Sequence, residues 1–130
     1  MYVPDTNTLI YFFKGKGRVA ERLFAESRTE LGLSAIVLHE LETGIAKSVN
    51  STKRRRQLDA FVEAAVFLPF GKAEAAAAAE IRSRLEIVGT PIGPLDTLIA
   101  ATAVANQSVL VTHNTGEFSR VPDLKIEDWY

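Results

Sequence analysis

Cysteine is absent from the 130 residues, which excludes disulfide cross-links and thiolate zinc sites. An excess of one charge is absent too: Lys and Arg number 15 against 16 Asp and Glu, for a formal net charge of −1. A chain so balanced does not hold nucleic acid by bulk positive charge, so any such contact must be local and metal-assisted. No apolar run approaches the ~20 residues that a membrane span requires. The opening Met1-Tyr2-Val3-Pro4-Asp5 lacks the basic region of a secretion signal. A cytoplasmic protein with no membrane partner is the expectation. Also missing are a Gly-x-Ser-x-Gly elbow, a Walker-type Gly-rich loop and a Gly-x-Gly-x-x-Gly fingerprint. What remains has ordinary globular proportions, 47% hydrophobic and 24% charged. These proportions fit one domain over residues 1–130, with no internal repeat and no boundary.

Along the chain, short apolar strands alternate with helical patterns. Tyr2-Val3-Pro4 reads as a strand that stops at Asp5-Thr6-Asn7-Thr8, and Leu9 to Phe13 as a buried helix broken by Gly15 and Gly17. Val19 to Glu26 is a second short helix, and Glu30 to Leu33 a second strand, with Ser34 as the N-cap of a third helix. Val37, Leu38, Leu41 and Ile45 carry the spacing of a helix face, and a further helix starts at Ser51-Thr52. Ala65 to Leu68 reads as a strand, Lys72 to Val88 as an Ala-rich helix, and Leu95 to Ala105 as a buried one. Val109-Leu110-Val111 and Leu124-Lys125-Ile126 close the pattern as strands, the latter at an edge. The fold class is therefore α/β, with a mostly parallel sheet covered on both faces.

Ligands of parallel α/β folds sit beyond the carboxyl ends of the strands, and several polar residues fall there. Asp5 follows the first strand, Asp96 opens an otherwise apolar helix, and Thr112, His113 and Asn114 follow a late strand, with Glu117 shortly after. Singly, each has a plain explanation: Asp5 and Asp96 as helix caps, Asn114 as a turn residue, His113 as a surface loop residue. Glu40 and Glu42 lie about 200° apart on their helix at ~100° per residue, so only one can point inward. Gly44, one turn beyond Glu40, costs roughly 1 kcal/mol of helix propensity, which points to a close approach there. Taken together, converging carboxylates would repel one another and raise one another's pKa unless a cation neutralised them. Oxygen ligands favour Mg²⁺ or Mn²⁺, and such an ion suits phosphoryl chemistry by activating water and offsetting phosphate charge.

These residues carry a resemblance. Asp5-Thr6-Asn7-Thr8 after a first strand, Leu38 to Gly44 on a helix, Gly93-Pro94-Leu95-Asp96, and Val111 to Phe118 resemble the PIN-domain family. The closer likeness is to its VapC-type ribonuclease toxins, with Val121 to Trp129 similar to their ends. The resemblance implies a compact α/β/α sandwich and Mg²⁺- or Mn²⁺-dependent cleavage of RNA by an activated water. By position it implies Asp5, Glu40 and Asp96 as acidic residues, with Asp5 and Asp96 on the metal and Asn114 or Glu117 completing the site. It also implies Thr6, Asn7 and Thr112 as supporting groups. Asn114 stands where many relatives have Asp, and Pro4 replaces the usual apolar residue. Lys14 and Lys16 could meet RNA phosphates, whereas the run Lys53 to Arg56 reads first as a solvated helix face. The implied partners are a cognate antitoxin, RNA, a second copy in a homodimer, and promoter DNA through the antitoxin alone. Leu9, Tyr11, Phe12, Phe13 and Phe24 supply bulk for an antitoxin groove or for a tight core. Two other readings of the acids are a phosphatase of haloacid-dehalogenase-like type and a receiver-like signalling domain. The first needs an acid where Asn7 stands, and the second an acid after the third strand, where Pro69 stands.

Overall fold

The computed structural model describes residues 1–130. Strands β1 (Tyr2–Pro4), β2 (Gly32–Ser34), β3 (Val66–Leu68), β4 (Val109–Val111) and β5 (Lys125–Glu127) are each three residues long. Between them run helices α1 (Thr6–Lys14), α2 (Val19–Ala25), α3 (Ala35–Lys47), α4 (Thr52–Ala64), α5 (Lys72–Ile87), α6 (Pro94–Ala105) and α7 (Thr115–Phe118). A single 3₁₀ turn, Arg28–Glu30, precedes β2.

Every strand pairing is parallel. The β1 strand runs beside β4 with Val3 opposite Leu110, β4 beside β5, and β2 beside β3. One isolated bridge, Tyr2 to Leu31, joins the two sets, so the spatial order is β3-β2-β1-β4-β5. Pro4 sits at the last position of a central strand, opposite Val111. There its missing donor does no harm, because the next donor, the Asp5 N–H, reaches the Val111 carbonyl at 2.9 Å.

The apolar stripes read from the sequence face a single core. It includes Leu9, Leu33, Val37, Leu58, Ile81, Ile99, Leu110 and Phe118, all 5% exposed or less. At roughly 1.5–3 kcal/mol for each fully buried large aliphatic or aromatic side chain, such a core is the main stabilising term. Local rules fix the helix starts. The Ser34 hydroxyl accepts from the Val37 N–H at 3.0 Å, and Pro94 occupies the first turn of α6, where its absent donor is not missed. Helix α6 therefore starts two residues before Asp96, which lies inside the first turn instead of opening the helix, with no side-chain cap bond there. Gly17, at φ +62°, lies against the Tyr130 backbone so closely that an added Cβ would meet its Cα at 2.8 Å. The Arg18 N–H donates to the Trp129 carbonyl beside that contact at 3.1 Å, which anchors the last residues against the start of α2.

Candidate active site

Asp5 follows β1 immediately and is both a cap and a buried acid. Its Oδ1 accepts from the Thr8 N–H at 2.8 Å and closes the start of α1, as the capping reading expects. Its Oδ2 accepts from the Thr112 hydroxyl at 2.7 Å, across from the end of β4. Asp5 is 5% exposed and Thr112 fully buried. Burial pushes the Asp5 carboxyl above the usual carboxylate range, and Glu40 adds to the rise, while hydrogen bonds from Thr112 and Thr8 pull the other way.

Helix α3, which starts directly after β2, carries Glu40 toward this point. The Thr6 hydroxyl donates to Glu40 Oε1 at 2.6 Å. Glu42 turns away and pairs with Arg55 of α4, whose hydrogen bond holds its carboxyl below the ordinary value. The choice between the two glutamates, open in the sequence, falls to Glu40.

Asp96 and Glu117 form the third and fourth members. Glu117 accepts from the Gly93 N–H at 3.1 Å through Oε1 and from the Asn114 amide through Oε2. Asp96 Oδ2 and Glu117 Oε1 both lie within 4 Å of where a Cβ on Gly93 would stand. Burial first, then Glu117, and more weakly Glu40 and Asp5, push the Asp96 carboxyl up to about 7. Acids from four separate places in the chain thus act on one another at one end of the sheet. Between the two candidates for the last position, Glu117 is the one that meets Asp96, and Asn114 holds Glu117 in place.

Of the three expected supporting groups, Thr6 and Thr112 bond the acids and Asn7 does not. Asn7 is solvent-exposed, and the hydroxyls that orient the acids are those of Thr6 and Thr112. The close approach expected at Gly44 is not found, since an added Cβ there would meet nothing within 4 Å. That glycine lines an open cleft of about 660 Å³ beside Glu40. Lys14 lines the same cleft, while Lys16 is exposed and not part of its lining. The basic run of α4 divides: Arg56 is exposed, Arg55 is taken by Glu42 and Asp59, and Arg54 lies over the Phe13 ring at 4.8 Å on the cleft wall. Arg54 was beyond sequence reasoning because its partner is 41 positions earlier on another helix. His113 is an exposed loop residue, as expected, stacked on Tyr130 and paired with Asp128.

A divalent cation would match this cluster in charge and donor type: every donor is oxygen, and burial, with a smaller push from the neighbouring acids, holds Asp5 and Asp96 above the usual carboxylate range. No three Asp, Glu or His side chains, however, stand close enough together to enclose an ion as they are. The match is one of chemistry.

The sheet and its acid-rich end define a class: a parallel α/β protein whose pocket lies beyond the carboxyl ends of β1, β2 and β4. Comparison with known proteins narrows it. A sequence model of the PIN domain matches residues 2–124. The tRNA(fMet)-specific endonuclease VapC of Salmonella typhimurium is 34% identical over 128 residues, covering 98% of this chain and 97% of the relative. Ribonuclease VapC2 of Rickettsia felis is 34% identical over 132 residues, covering 99% and 98%. Among solved structures, VapBC2 from Rickettsia felis bound to a promoter DNA fragment superposes with a TM-score of 0.92 at 33% identity, covering 99% of this chain and 98% of that one. DNA-bound VapBC from Salmonella typhimurium gives the same score and identity. The chain belongs to the PIN-domain family, in its VapC-type branch. The dehalogenase-like and receiver-like readings fall away with that membership.

Proposed function

We propose that this protein is an endoribonuclease toxin of a toxin–antitoxin pair, hydrolysing RNA phosphodiesters with a water activated by Mg²⁺ or Mn²⁺. One observation carries the reading: in a PIN-family chain with ribonuclease relatives, Asp5, Glu40, Asp96 and Glu117 gather at one end of the sheet, where burial first and the neighbouring acids after it push Asp96 up to about 7.

Asp5 and Asp96 would hold the cation, which supplies a water of lowered pKa and offsets charge developing on the phosphate. Thr112 and the Thr8 N–H fix both Asp5 oxygens, so this acid is oriented before any ligand arrives. Thr6 does the same for Glu40, which would accept a proton from the attacking water. Glu117, held by Gly93 and Asn114, would be the fourth acid, beside Asp96. Water thus replaces a side-chain nucleophile, and the products carry a 5′-phosphate and a 3′-hydroxyl.

The reading includes partners. Phe12, Leu23, Phe24, Leu31 and Phe61 line an apolar groove of about 490 Å³ between α1, α2 and α4. Phe24 is 76% exposed, whereas Leu9 and Phe13 belong to the core. The N-terminal aromatics thus serve both purposes considered from the sequence. The groove would seat the cognate antitoxin, which alone would contact promoter DNA, and two toxin copies would pair as a homodimer in the cytoplasm. The related structures are VapBC2 of Rickettsia felis with a DNA fragment from its promoter and VapBC of Salmonella typhimurium bound to DNA.

Purified protein incubated with tRNA and messenger RNA tests the reading, tRNA(fMet) first in view of the Salmonella relative. Cleavage should stop with EDTA, return with Mg²⁺ or Mn²⁺, and fall at least ~100-fold in Asp96→Asn, as for loss of a principal charge-stabilising group. Cleavage that survives EDTA, or persists at wild-type rate in Asp96→Asn, would overturn it.

A further inference from the structure

The cleft beside Glu40 runs away from the acids between α1, α3 and α4. Its floor is one face of α3, where Gly44 contributes no side chain and Ser48 follows one turn later. Its walls carry Lys14, Lys53 and Arg54, and Glu40 is its sole acid. The wall is braced, since the Gln57 amide donates to the Phe13 carbonyl at 2.9 Å.

Arg54 is the unusual member. Arg55, next to it, spends its charge on Glu42 and Asp59. Arg54 has no such partner: its guanidinium rests on the Phe13 face, and its Nη1 is buried without any hydrogen bond. A charged donor left unpaired off solvent is costly. Stacking on an aromatic ring orients such a guanidinium, and Arg54 lines the open cleft where an anion would meet it. The groove therefore offers three cations to a polyanion, in continuity with Glu40 of the acid cluster.

We propose that this cleft is the exit path of single-stranded RNA, with Arg54 holding a phosphate that is not cleaved and the bare backbone at Gly44 leaving room for the strand. The proposal rests on the ribonuclease reading above and adds the direction in which the substrate lies. Arg54 is a binding residue for the flanking strand and takes no part in the bond-breaking step.

The test uses the full chain carrying Asp96→Asn, so that RNA is bound without being cut, and a fluorescent single-stranded RNA of twelve nucleotides titrated over a range of salt. Arg54→Met should raise Kd about tenfold, as for loss of a charge-assisted phosphate contact. The slope of log affinity against log salt should shrink by about 0.7, the value for one phosphate on a single strand. Arg54→Lys should recover most of the slope, and Arg56→Met, on the exposed side of α4, should change neither quantity. Because Arg54→Met also removes packing on Phe13, Gly44→Leu gives a charge-free check: it fills the floor, keeps the fold by thermal melting, and should weaken binding by a similar factor. In the cutting protein, Arg54→Met should raise KM and leave kcat near its original value. Normal RNA affinity in both Arg54→Met and Gly44→Leu would overturn the path while leaving the ribonuclease reading intact. So would a cleft that takes a polyglutamate peptide through Arg54 in preference to RNA. A parent protein that neither binds nor cuts any RNA would overturn both.

Discussion

Asp96 holds a proton that the unfolded chain would release. A carboxyl whose pKa is raised by folding binds its proton more tightly in the native state, so protonation favours folding. Its contribution is whole below an unfolded pKa of about 4 and is lost as pH rises through about 7. Asp5 shifts in the same direction. In metal-free protein the melting temperature should therefore fall between pH 5 and pH 8, and Asp96→Asn should flatten that slope and melt higher at pH 8. Adding Mg²⁺ at pH 8 should restore wild-type stability more than at pH 5, since a ligand stabilises by its affinity for the native state. Differential scanning calorimetry at several pH values checks all three, and a wild-type melting temperature that climbs over the interval would contradict the raised pKa. Legibility at this scale was uneven. Asp5 could be found because an acid directly after a first strand is a local pattern, and its cap and its pocket roles coexist. The direction of Glu40 could not, because it is decided by Arg55 on α4, thirteen positions beyond Glu42. Of the supporting groups expected after β1, Thr6 bonds Glu40 while Asn7 faces solvent.

The helices were the most legible elements, because caps and periodicity are written into neighbouring residues. Ser34 caps α3 as expected, and Lys72–Ile87 and Pro94–Ala105 match the anticipated spans to within a residue at either end. Each strand is only three residues long, so apolar triplets located them while their ends shifted, as in Gly32–Ser34 against the expected Glu30 to Leu33. Helix α7, at four residues, is too short for periodicity to register. Gly44 was misread for an instructive reason: a helix glycine can mark space kept open as well as space already filled. Since an added Cβ meets nothing there, Gly44→Ala should stabilise the protein by ~1 kcal/mol through helix propensity and reduced unfolded-chain freedom. Urea denaturation of the two proteins measures this, and a loss of stability would show that the cleft floor is tighter than described.

At the scale of the whole molecule, the α/β class and the end of the sheet that carries the acids were legible, because alternating strands and helices leave few topologies. The apolar groove was half legible. Aromatic bulk near the N-terminus was plain, but its division into core and surface depends on α4 arriving from far along the chain to place Phe61 beside Phe12. Phe24 is exposed and contacts Phe12 edge-on, so Phe24→Asp should leave the melting temperature within about a degree, as is usual for surface changes. Its affinity for the antitoxin should drop at least ~30-fold, the scale of a buried aromatic anchor. Calorimetric titration against the antitoxin decides it, and unchanged affinity would move the interface elsewhere.

The lone bridge between Tyr2 and Leu31 makes the sheet two plates joined by a single stitch. Asp5 and Thr112 ride on one plate, and Glu40 is carried by the helix that leaves the other. Anything that clasps acids from both plates acts as a rivet across the thinnest seam in the backbone. Amide hydrogens along β2 and β3 should consequently exchange more slowly when the pocket is filled, even though none of them touches it.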